Sequence, residues 1–154
     1  MKANIIVEYK DEKTGLFKAL PDFYEEKNGK IFTKLAFSDI VYRMLSDDVG
    51  SDFITTVSKF GNLGDRRGIP IDASDVYLKL VKQSRGQFHN FFYLKELENI
   101  TNQGYLNIKD DYENKYSELA FSFINFIDNL SRIADEKNIC LNCIRICFYF
   151  TEID

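Results

Sequence analysis

Arginine is scarce in this chain, six residues against fourteen lysines, yet three of the six fall between positions 66 and 85, just ahead of the lone His89. The planar guanidinium forks onto phosphate or carboxylate, and a glycine-rich stretch adds backbone N–H groups that cradle anions. Arg66, Arg67, Gly68, Arg85 and His89, with Gly64 beside them, thus form a candidate pocket for an anion or nucleotide. Phe88, Phe91, Phe92 and Tyr93 offer rings on which a base can stack. The plainer alternative has Arg67 pairing with Asp65 or Asp72, Gly68–Pro70 turning the chain into a helix, and His89 and the aromatic residues serving as packing.

Other chemistry is weaker. "GNLGDRRG" lacks the Lys-Ser/Thr of a phosphate loop, and with one histidine any nucleophilic triad depends wholly on His89. The acids of "YEE" at 24–26 and the pairs Asp47–Asp48 and Asp110–Asp111 are neighbours, and adjacent residues on a helix diverge rather than converge on one metal. Asp110 and Asp111 suit the first turn of a helix, facing its dipole. All three cysteines lie within eight positions, in "CLNCIRICFYF". A zinc site wants four N or S ligands, and the only histidine lies 51 residues before Cys140. The stretch reads as a central strand with Ile144, Ile146, Phe148 and Phe150 on one face and Cys143, Arg145, Cys147 and Tyr149 on the other, the thiols being packing groups. No metal and no cofactor are expected.

The elements that must carry these residues follow from periodicity. Asn4–Tyr9 and Leu16–Leu20 predict a hairpin turned at Gly15, and "GKIFTKLAF" a third extended piece. Ser38 caps a predicted helix over Asp39–Val49, ended by Gly50. The irregular stretch from Gly50 to Pro70 is long for a small domain. A second helix follows Ser74, with Val76, Tyr77, Leu80 and Val81 on one face, ending near Gly86. "FHNFFYL" reads as extended and "LKELENI" as a helical turn. A stripe through Tyr112, Tyr116, Leu119, Phe123, Ile127, Leu130 and Ala134 predicts a helix over about 110–137, roughly 40 Å long at about 1.5 Å per residue.

The whole, residues 1–154, is expected to be a single α+β domain: a small, mainly antiparallel sheet containing the N-terminal hairpin and the C-terminal strand, packed by the long helix and shorter ones. With 45% hydrophobic residues, 14 Phe and 9 Tyr, the chain can bury one substantial core. A net charge of −4 supplies no basic field for bulk nucleic acid. The first residues lack the apolar run of a signal sequence or membrane span, and the odd number of cysteines argues against a disulfide framework, so a cytoplasmic protein is expected.

Arg67, Gly68, Ile69, Pro70, Asp72 and Ser74, then His89, then Leu94, Glu96 and Leu97, and finally Arg145, Ile146, Phe148 and Phe150 fall in an order that resembles a family of small proteins encoded by bacteriophages and prophages. Members carry an "RGLP-D-S" segment, a histidine, an "LxEL" segment and a closing "VRIVFWF"-type strand. The resemblance implies a phage or mobile-element origin and residence in the host cytoplasm. The expected function is that of an accessory protein that binds rather than catalyses, such as a counter-defence factor that sequesters a nucleotide signal or masks a host protein. The alternatives are a phosphate-ester-processing enzyme using His89, with Arg67 clamping the phosphate, and a virion or assembly component. A homo-oligomer is compatible with the apolar surface of the long helix.

Overall fold

The computed structural model describes residues 2–34, 36–38, 67–99 and 117–151. Among the described residues seven strands are formed: β1 (Lys2–Lys10), β2 (Phe17–Ala19), β3 (Tyr24–Lys27), β4 (Lys30–Thr33), β5 (Ala36–Ser38), β6 (Gln87–Tyr93) and β7 (Ile144–Thr151). Two helices accompany them, α1 (Asp75–Gln83) and α2 (Ser117–Glu136), together with a helical turn over residues 94–99. The predicted helix over 39–49, most of the stretch from 50 to 70 and the first part of the predicted 110–137 helix lie outside the described residues.

The fold is the expected α+β arrangement. A five-stranded antiparallel sheet runs β2-β1-β7-β6, with β5 also pairing to β1. The two apolar strands nearest the chain ends are its centre, paired over Lys2↔Thr151 through Tyr9↔Ile144. On the free edge of β1, β5 covers the first residues and β2 the last. The β1–β2 turn is closed by bonds from Asp11 N–H to the Leu16 carbonyl, 2.9 Å, and from Gly15 N–H to the Asp11 carbonyl, 2.7 Å, with Gly15 at φ +69°.

Side chains alternate along β7, and each face finds its own layer. Ile144, Ile146, Phe148 and Phe150 pack with Ile5 and Val7 of β1 against Phe126, Ile127, Leu130 and Ala134 of α2, the predicted stripe residues among them. On the opposite face Cys147 and Tyr149 join Ile6, Ala19, Ile31, Tyr77 and Leu80 beneath α1 and the β3–β4 hairpin. The sheet is thus the middle of three layers. α2 ends with Asn138 in the left-handed region (φ 55°) and a bond of 2.8 Å from Ile139 N–H back to the Ala134 carbonyl, the pattern of a Schellman cap.

Three sequence expectations change. The extended piece "GKIFTKLAF" is two strands, β4 and β5, which join different sheets. "YEE" at 24–26 belongs to β3, paired with β4 around Asn28 (φ 51°) and Gly29 (φ 76°), the positive-φ pair of a tight hairpin turn. The C-terminal strand starts only at Ile144: Cys140 precedes, and Cys143 ends, a short 3-10 turn over Leu141–Cys143, so Cys143 is not on the strand face assigned to it. The carbonyl of Cys140 accepts the Cys143 N–H at 2.8 Å, which closes this turn before the ladder begins.

Candidate functional site

On the α1 face of the sheet, two charged residues interrupt the apolar strands at facing positions, Glu8 of β1 and Arg145 of β7. Both side chains are fully buried, at 0% and 1% exposure. Burying an unpaired charge would cost several kcal/mol, and here every group is matched. Arg145 donates from Nε to Glu8 Oε1 at 2.7 Å, from Nη1 to Asp72 Oδ1 at 2.8 Å and from Nη2 to the Asp72 carbonyl at 3.1 Å. Glu8 accepts further bonds from Ser74 N–H, 2.6 Å, and from the Cys147 thiol, 3.1 Å. The guanidinium carbon Cζ lies over the Phe17 ring, 3.5 Å from its centroid, and adds a cation–π contact.

Electrostatics follow from this packing. Burial opposes the charge on Arg145, but the Asp72 hydrogen bond and the Glu8 carboxylate outweigh it and hold the guanidinium's pKa above its ordinary value. The Cys147 thiol is pushed well above 9.0 by burial and then by the adjacent Glu8 carboxylate, so it stays a neutral donor.

The network also seats α1. Ser74 is its N-cap, accepting the Tyr77 N–H at 3.2 Å while its own N–H is held by Glu8. At the far end Gln83 bonds the Ile31 N–H and carbonyl at 2.8 and 2.6 Å, so its amide stands beside β4 like another strand. Between β2 and the start of α1 opens a cleft of about 540 Å³, two of whose lining residues, Phe17 and Asp72, also contact Arg145. Leu16, Phe17, Tyr9 and Tyr24 contribute apolar and aromatic walls, and Asp72 and Asp75 contribute carboxylates. Asp72 gives one oxygen to Arg145 while its side chain remains 62% exposed. Lys18, also on the rim, is drawn to Asp11 at 2.7 Å.

The residues singled out from sequence are placed as follows. Arg66 lies outside the described residues. Arg67 pairs with Glu96 at 2.7 Å, and not with Asp72, which Arg145 occupies. Its guanidinium also lies over the Phe92 ring, 5.2 Å to the centroid, and the Arg67 backbone N–H donates to Asn90 Oδ1 at 3.0 Å. Glu96 additionally accepts the Tyr93 N–H at 3.2 Å, so the same carboxylate caps the 94–99 turn. Gly68 adopts φ +77°, a left-handed conformation open to glycine. Arg85 is exposed between α1 and β6, with no ion pair among the described residues.

His89 is half-buried against Tyr149, with centroids 5.3 Å apart, and its Nδ1 is 3.1 Å from the Tyr77 hydroxyl, which donates to the Phe148 carbonyl at 3.2 Å. Burial lowers its pKa below 6.5, partly offset by a backbone hydrogen bond with Gly86. Arg67 and His89 therefore make their contacts with different residues. Gly86 is required where it stands: a Cβ there would lie 2.0 Å from the Tyr149 ring.

The sequence reading passed over Glu8 and Arg145 as site residues. Their signal was a charge set inside an apolar run, "IIVEY" and "CIRICF", in two strands expected in the same sheet. Of the residues that carry the resemblance, Asp72 accepts from Arg145, Ser74 donates its N–H to Glu8, and Arg67 pairs with Glu96. Compared with family models, curated proteins and solved structures, the chain finds no match. Among the described residues no helix is long and apolar enough to cross a membrane.

Proposed function

We propose that this protein is an accessory binding module, of the phage-encoded kind its motifs resemble, that masks a host protein in the host cytoplasm by holding one of its segments in the β2–α1 cleft. The observation that supports this most directly is the make-up of the cleft: aromatic walls with the carboxylates of Asp72 and Asp75 among them. Arg145 and Glu8 are committed to each other, and Arg67 to Glu96, so the strongest charged groups serve as scaffold. The segment that complements the cleft carries an apolar residue to lie on Leu16 and Phe17 and a lysine or arginine to meet Asp72 and Asp75 beside the Tyr9 and Tyr24 rings.

Selection of random peptides on the purified protein tests this. The expected outcome is enrichment of sequences with a basic residue next to an aliphatic or aromatic one, with affinity reduced about tenfold or more by Asp75→Lys, a loss of about 1.4 kcal/mol. Enrichment indifferent to both Asp75→Lys and Leu16→Glu, or no enrichment, would sink it. A second reading, sequestration of a phosphorylated small molecule, draws support from the exposed Arg85 four residues before His89. Native mass spectrometry of protein purified from a bacterial lysate addresses it: a retained phosphorylated ligand, lost in Arg85→Ala, would favour that reading over the peptide cleft.

A further inference from the structure

Cys140 and Cys143 stand apart from the rest of the cysteine-rich stretch. Cys147 is sealed in the sheet, whereas Cys140 is exposed and Cys143 partly exposed. The 3-10 turn between them, closed by the bond from Cys143 N–H to the Cys140 carbonyl at 2.8 Å, brings residues three apart onto one side of the chain. Both open onto a cleft of about 290 Å³ between the end of α2 and the β1–β2 hairpin. Lys10, Lys13 and Lys137 line it, facing Asp11 and Glu12. Two of these five charges are engaged elsewhere, Asp11 with Lys18 at 2.7 Å and Lys137 with Asp22 at 3.8 Å, so Lys10 and Lys13 outnumber Glu12. Among the described residues no third histidine, cysteine or acidic side chain completes a metal-binding group with the pair.

We propose that Cys140 and Cys143 are a thiol–disulfide exchange site whose oxidant is a small, carboxylate-bearing disulfide of the glutathione disulfide type. The Cys140 thiolate attacks one sulfur of the small disulfide, forming a mixed disulfide and releasing one small thiolate. Cys143 then gives up its proton to solvent and attacks the Cys140 sulfur. The Cys140–Cys143 bond forms, the second small thiolate leaves, and both thiolates take up protons. Two electrons have passed from the protein dithiol to the small disulfide, which becomes two thiols.

The order of roles follows exposure: Cys140 is the accessible nucleophile and Cys143 the resolving thiol. Burial and the neighbouring Cys140 side chain hold Cys143 in its protonated form, with Lys10 pulling the other way. Lys10 and Lys13 are placed to meet the carboxylates of the incoming disulfide. Reducing conditions return the dithiol, so the site is reversible.

The experiment is incubation of the full chain with glutathione disulfide, followed by intact-mass measurement and peptide mapping. The expected product has lost two hydrogens, with the new bond mapped to Cys140–Cys143 and Cys147 unmodified. Cys143→Ser is expected to stop at a single mixed disulfide on Cys140, and Cys140→Ser to react about tenfold more slowly than the native chain, as the less accessible thiol must then attack. Replacing Lys10 and Lys13 together by Ser should reduce the rate with glutathione disulfide several-fold more than the rate with uncharged hydroxyethyl disulfide. A stable adduct on both Cys140 and Cys143, or no reaction in excess disulfide, overturns the proposal. So does a bond that involves Cys147 in protein whose circular dichroism remains native.

Discussion

The two faces of β7 solve the same burial problem by different means. Toward α2 the strand offers Ile144, Ile146, Phe148 and Phe150, and stability there comes from apolar area removed from water and from close packing. Toward α1 it offers Arg145, Cys147 and Tyr149, and Arg145 survives burial only because Glu8, Asp72 and the Phe17 ring surround it. An oily face accepts many combinations of similar volume. The matched face rewards one register, because sliding β1 against β7 by one residue would strand two buried charges.

That difference can be broken most forcefully at the ion pair. Arg145→Ala should cost about 3–5 kcal/mol, since Glu8 would be left buried without its partner, and chemical denaturation would read it. Combining Arg145→Met with Glu8→Leu should recover most of that loss, as replacement of a buried pair by apolar groups is often neutral. On the oily face, Leu130→Ala should cost about 2–5 kcal/mol with no such rescue from a single partner. Gly86→Ala forces the Tyr149 ring aside and should cost about 1–3 kcal/mol. Arg67→Ala, at the half-exposed pair with Glu96, should cost about 1 kcal/mol or less.

The smallest effect is one of pH. Because burial depresses the His89 pKa, the folded state holds the imidazole neutral where the unfolded chain would protonate it. That contribution is complete above about pH 6.5, the unfolded value, and is lost as pH falls through the depressed folded pKa. Midpoints of thermal unfolding between pH 7 and 5 should fall less steeply in His89→Phe than in the native chain.

Much of the frame was legible in the sequence because it is written in periodicity. The alternation in "IRICFYF" separated Ile146, Phe148 and Phe150 from Cys147 and Tyr149, and the spacing of Ile127, Leu130 and Ala134 marked the face of α2 that meets them. The Glu8–Arg145–Asp72 contact was not, because it joins three elements and residues 137 apart, and nothing local in either strand names its partner. The β3–β4 hairpin carried its signal in Asn28–Gly29, yet the charged "YEEK" before it has none of the apolar alternation by which strands are ordinarily found. Cys143 was assigned to the strand because a 3-10 turn of three residues is too short to disturb the pattern of side chains that follows it.

The pairing of β1 with β7 sets a schedule as well as a shape. A chain made from its N-terminus has Ile5, Ile6 and Val7 in hand long before their neighbours on β7 exist, a wait on the order of ten seconds at about 5–20 residues per second. Throughout that interval β1 has only β2 and β5 to lean on, and Glu8 has no counter-charge from Arg145. The acidic side chain that later anchors the folded sheet is then a gatekeeper, a charge in the midst of an apolar strand that discourages nascent copies from joining edge to edge.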